Sequence, residues 1–141
     1  MSSPSRPDLN WWRDDRQRWD ALAFVEAPDE PTLDAHADER AAVLEQLLLD
    51  CGDSDADFLV YLLEQETQRH RSGWSLSEAL SIAALLVAER NRLEDVFALW
   101  SAKTANFDTM FGLDSELLFS AGVEPTVVFV ETSEDPARDS I

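Results

Sequence analysis

The residues with the densest coordinating chemistry are Asp53, Asp55 and Asp57, in the run Asp53-Ser54-Asp55-Ala56-Asp57, with Glu64 at the twelfth position counted from Asp53. Those are the acidic ligand positions of a helix–loop–helix calcium site. Such a loop turns sharply at its sixth position and calls for glycine there; this chain has Phe58, and residues 58–63 are an apolar run that suits a helix. The triplet therefore reads as a helix start, with carboxylates in the first turn where free N–H groups and the helix dipole favour negative charge. No metal is expected. Cys51, His36 and His70 have no zinc-ligand spacing. Cys51 is the only cysteine, so it forms no internal disulfide. It lies among acids that raise a thiol pKa, and reads as a small buried hydrophobe. His70, between Arg69 and Arg71, reads as part of a cationic helix C-terminus. The sequence has no glycine-rich phosphate loop and no nucleophile elbow. Carboxylate pairs are too common among 29 acids to mark a catalytic dyad. No catalytic residue and no cofactor are expected.

Other residues suit recognition better than catalysis. The segment from Trp100 to Asp114 holds the only lysine, Lys103, with Asn106, Asp108 and two phenylalanines. It reads either as a partner surface rimmed by Lys103, Asn106 and Asp108, or as an aromatic-pinned connection with the lysine on a helix dipole. Trp11 and Trp12 are adjacent, so on a helix they point about 100° apart and only one can face the core. The other is a candidate interface anchor. Acids crowd the ends of two predicted helices, with Asp29, Glu30, Asp34, Asp38 and Glu39 around the second and Asp50, Asp53, Asp55 and Asp57 around the third.

The formal net charge is −18 in 141 residues. A chain this acidic repels nucleic acid and anionic membrane surfaces and attracts basic proteins over a range set by salt. The apolar stretch 82–88 is too short to span a bilayer. With one cysteine and a polar start, the expected setting is cytoplasmic.

The elements that must position these residues read as helices. Four glycines leave little room for hairpins, and 3.6-residue periodicity recurs along the chain. The expected order is a helix from Asn10 to Glu26; a second from Thr32 or Leu33 to Gly52, with the stripe Ala37, Ala41, Leu44, Leu47, Leu48; a third opened by Asp53–Asp55; and a fourth, apolar nearly all round, capped by Ser75 in a Ser75-x-x-Glu78 box. A fifth carries Leu93, Val96, Phe97 and Trp100. A short sixth follows Asp114, and a last turn or two covers the β-branched run 126–130. Residues 1–9 and 132–141 read as flexible ends around one all-helical domain, 10–131.

Segments starting at Asp20, Asp57 and Asp95 share an Asp-x-apolar pattern, and Ser77-Glu78 echoes Ser115-Glu116 at a spacing of 38. Three hairpins of that period would make a short α-solenoid; the alternative is a plain helical bundle. The functional expectation is a non-catalytic acidic module that binds and neutralises a basic or amphipathic protein partner, in the manner of an inhibitor or immunity protein. A helical adaptor subunit and an enzyme with an unrecognised site are the alternatives.

Overall fold

A computed structural model describes residues 8–25, 36–71, 75–135 and 139. They form α1 (Leu9–Asp14), α2 (Ala37–Leu49), α3 (Ala56–Arg71), α4 (Glu78–Glu89), α5 (Val96–Lys103), α6 (Phe107–Gly112) and α7 (Val123–Thr132). Four 3₁₀ segments, Arg16–Leu22, Asp53–Asp55, Leu93–Asp95 and Ser115–Phe119, complete the helical structure, and no strand occurs among the described residues. The protein is a single all-α domain, as the periodicity predicts.

Short polar side chains decide where these elements begin, and they move several predicted boundaries. Asp8, not Asn10, caps α1, accepting the Trp11 amide at 3.0 Å. Leu9 is already buried, so the packed part of the chain starts before residue 10. The helix predicted to run to Glu26 stops at Asp14. Asp15 is extended, and its carboxylate takes the Gln17 amide at 2.9 Å, restarting the chain as a 3₁₀ segment. Aspartates that bond nearby amides compete with helix propagation in this way.

The predicted second start at Thr32 or Leu33 lies outside the described residues. The observed α2 begins after His36 and ends at Leu49, where Asp50 leaves helical geometry. Ser77, not Ser75, caps α4: its hydroxyl accepts the Leu80 amide at 3.1 Å. The terminal run 126–130 is helical, as expected. Its start needs Gly122, whose φ of 108° would strain any side chain. Pro125 falls in the first turn, where a missing N–H breaks no helix bond.

Packing follows the order of stacked hairpins. The first elements of successive hairpins are Arg16–Leu22, α3 and α5. Trp19 lies on Phe58 and Tyr61, with ring centroids 4.8 and 5.4 Å away, and α3 packs along α5. The second elements are α2, α4 and Ser115–Phe119, which contact one another in that order, while α3 also packs on α4 and α5 on Ser115–Phe119. These contacts are those of antiparallel hairpins packed in one domain, and the structural register differs from that of the predicted repeat. Asp55 and Asp95, 40 positions apart, occupy equivalent places: each is the last residue of a 3₁₀ turn, buried, and gripped by an arginine. Asp57 is not the equivalent of Asp95.

The core is built on Leu22, Val43, Leu44, Leu47, Phe58, Leu59, Leu62, Leu63 and most of α4. It also encloses a fully buried ion pair, Arg40 Nε to Glu66 Oε1 at 3.2 Å. Arg40 donates a second bond to the Leu22 carbonyl at 3.0 Å, which ties the 3₁₀ segment to α2. The observed inward stripe of α2 is Arg40, Val43, Leu44 and Leu47, which leaves Leu48 half exposed rather than buried.

Candidate partner-binding surface

Two regions concentrate the residues singled out above. The first is the edge where α3 and α5 begin. Arg13 grips Asp55 with two bonds of 2.8 Å. Arg92 grips Asp95 in the same bidentate way and also reaches Asp57 at 3.0 Å. Arg16 pairs with the other Asp57 oxygen, and Arg90 lies 3.5 Å from Asp53. Burial pushes the Asp55 carboxyl up, but the Arg13 bonds, the Gly52 amide and the neighbouring arginine charges outweigh it and hold the group below its usual value. Hydrogen bonds from Arg92 and Arg16 lower Asp57 likewise. The triplet is thus a helix start, as predicted, but Asp55 is interior and has no face to offer a partner. Asp53 and Asp57 remain at the surface with arginines beside them.

Cys51 borders this edge. Burial pushes its thiol up, with Asp55 and Glu89 adding to the shift and Arg90 and Arg13 opposing it. Trp12 is buried, and Trp11, edge-on to it at 4.7 Å, is 40 % exposed with Arg18 stacked 4.6 Å above its ring. Asp38 is exposed and Glu39 half-buried at the start of α2. Asp29, Glu30 and Asp34 lie outside the described residues.

The second region is α6. The chain breaks its helix at 104–106, and α6 follows. Its placement is over-determined. Asn106 accepts the Thr109 amide at 2.8 Å, while the Thr109 hydroxyl accepts the Asn106 amide at 3.0 Å. The Asn106 side-chain amide donates to the carbonyls of His70 and Ser75, both at 3.0 Å. Lys103 donates to the carbonyls of Met110 and Leu113 at 2.7 and 2.6 Å. Gly112 lies so close to Leu76 that a Cβ would sit 2.5 Å from its terminal methyl. Lys103 and Asn106, predicted to rim a surface, are therefore braces beneath one.

What they brace is a pair of phenylalanines. Phe107 and Phe111 are 76 % and 75 % exposed, with ring centroids 4.8 Å apart, and Met110 is beside them. Asp108 is exposed on the same helix. The sequence leaves the segment open as a partner surface or as a connection pinned by these phenylalanines, and the structure leaves both rings exposed. Their i, i+4 spacing just after an Asn cap was the available signal.

Under α6 lies His70. Its Nδ1 is 2.7 Å from the Glu66 carbonyl and its Nε2 accepts the Ser77 amide at 3.0 Å, so the ring is the neutral Nδ1–H tautomer. Burial lowers its pKa, aided by Arg69 and Arg40 and opposed by the Glu66 carbonyl bond and charge. The expectation of a cationic His70 is corrected: the ring is buried, and its Nε2 is used as an acceptor. A cleft of about 460 Å³ opens between α3 and α5, lined by Glu64, Gln68, Arg71, Glu94, Phe97 and Ser101 among others. Among the described residues no group of three or more His, Cys, Asp or Glu is placed to hold a metal ion, and no helix is long and apolar enough to cross a membrane.

Compared with known proteins, the chain matches no protein family, no curated protein and no solved structure.

Proposed function

We propose that this protein is a non-catalytic acidic binding module that engages and neutralises a basic protein partner. The observation that carries this reading is how the charges are used. Arg13, Arg16, Arg40, Arg69, Arg90 and Arg92 each lie against an acid of their own chain. Arg18 is spent on Trp11, and Lys103 on backbone carbonyls. Among the described basic residues, Arg71 alone is outward and uncommitted. The acids are in surplus: Asp14, Asp20, Asp38, Glu45, Asp108 and Glu131, for instance, are all exposed without an ion pair among the described residues. The surface field is therefore negative, which speeds encounter with a positive partner and rejects anionic ones.

Stopped-flow association with the basic protein captured from native lysate tests the reading. The rate should fall steeply as salt rises, and the partner's own activity should be lost in the complex. Salt-independent association with an acidic or neutral protein would refute it. That outcome would favour a helical adaptor instead, a role for which the cleft between α3 and α5 supplies a groove.

A further inference from the structure

Resting on the acidic-module reading above, we propose that the Phe107–Met110–Phe111 knob is the anchor of the interface, and that its occupant is a basic protein surface with an apolar socket rimmed by lysine or arginine. An exposed aromatic pair is costly unless something covers it, and few single residues bury as much apolar area on docking as Phe. Here both rings project from a six-residue helix, and four side-chain hydrogen bonds, from Lys103 and Asn106, plus the Gly112–Leu76 contact fix that helix against the body. A rigid anchor loses little freedom on binding, which is what distinguishes an interface hot spot from a loose apolar loop.

The charges around the knob say what covers it. Asp108 sits on α6 itself, Asp114 follows three residues after Phe111, and Glu78 opens the helix next to Leu76, on which Gly112 rests. All three are exposed and without an ion pair among the described residues; the cation in contact with α6 is Lys103, whose ammonium is held by the Met110 and Leu113 carbonyls, and Arg71 follows His70, whose carbonyl Asn106 binds. Three carboxylates against Lys103 and Arg71 leave the surroundings of the knob net negative. A second copy of this chain would bring the same negative rim and a total of −18 against another −18, so like-charge repulsion opposes self-association through this face.

The experiment uses the full chain, isotopically labelled, titrated with two synthetic amphipathic peptides of equal length, one of leucine and lysine and one of leucine and glutamate. The lysine peptide should shift the amides of residues 103–113 saturably, and the glutamate peptide should not. Phe107→Ala with Phe111→Ala should weaken binding about tenfold or more, and Asp108→Asn with Asp114→Asn should weaken it at low salt only. Leu49→Ala, at an exposed position at the far end of α2, should change nothing. Because both rings are exposed, the double variant keeps its fold, which its amide spectrum verifies. Lysine-peptide binding that is unaffected by the phenylalanine changes would overturn the knob while leaving the acidic-module reading standing. No saturable binding of the lysine peptide would overturn both. Sedimentation showing a dimer that Phe107→Ala with Phe111→Ala dissolves would identify a second copy as the occupant and overturn the proposal.

Discussion

Replacing Arg40 by methionine should be among the most damaging single changes in this protein. At 3.2 Å and an effective dielectric of about 20, the Arg40–Glu66 attraction is about 5 kcal/mol. Removing both groups from water costs several kcal/mol each, so the intact pair is close to neutral against an apolar replacement. Breaking it is different. Arg40→Met leaves a fully buried Glu66 carboxylate with only Arg69 at 3.5 Å and a neutral His70 nearby, and it also orphans the Leu22 carbonyl. The expected loss is about 3–5 kcal/mol, or a Tm lower by roughly 10–20 °C for a domain of this size. Arg40→Met with Glu66→Leu should be less damaged than the sum of its parts, with a coupling of about 1–3 kcal/mol. Urea titrations followed by tryptophan fluorescence measure all three variants. A loss under about 1 kcal/mol for Arg40→Met, or strict additivity in the double variant, would refute the argument that the charges are dry and interdependent.

Ser77→Ala should cost about 1 kcal/mol by uncapping α4, while Ser75→Ala should be nearly neutral, because only the Ser75 carbonyl is used; thermal melts of the two variants decide. His70 is neutral when folded and more basic when unfolded, so the unfolded chain takes up the extra proton as pH falls below about 6.5. Its contribution to stability is whole above that value and lost as the pH drops through it toward the folded pKa. Urea midpoints between pH 7 and pH 5 should therefore fall more steeply for the wild type than for His70→Gln, and parallel slopes would exonerate the histidine. Calorimetry with calcium should give no saturable heat, since arginines already hold Asp53, Asp55 and Asp57; a micromolar site would show that those ion pairs yield to the metal.

Much of the fold was legible because it follows from periodicity alone: the all-helical class and the buried middle position of α4. Helix starts were less so. Two serines or two aspartates near a start are equivalent on paper, and the choice of Ser77 over Ser75 depends on Asn106, which arrives 31 residues later to claim the Ser75 carbonyl. The buried ion pair left a trace that sequence reading passed over. Arg40, Val43, Leu44 and Leu47 fall at i, i+3, i+4 and i+7, as do Leu59, Leu62, Leu63 and Glu66, so each charge completes an apolar stripe. A single cation and a single anion in such positions on two neighbouring helices is a readable signature. The exposed knob was harder, because an i, i+4 aromatic pair has the same spacing whether it faces inward or outward. Only the break at 104–106 decides which, and that break is a matter of tertiary bonds.

The segment of residues 9–22 joins partners far along the chain: Arg13 meets Asp55 and the Tyr61 hydroxyl meets the Trp19 carbonyl, each across 42 residues. A ribosome adding 5–20 residues per second leaves Leu9, Trp12, Trp19 and Leu22 without that docking site for roughly 2–8 s. During that interval, the charges interleaved with those apolar residues, aspartates at 14, 15 and 20 and arginines at 13, 16 and 18, discourage the segment from sticking to other nascent chains. Asp14 and Asp20, which cap no helix and carry no ion pair among the described residues, thus serve the newborn polypeptide, and their value would register in yield during synthesis and not in the stability of the purified protein.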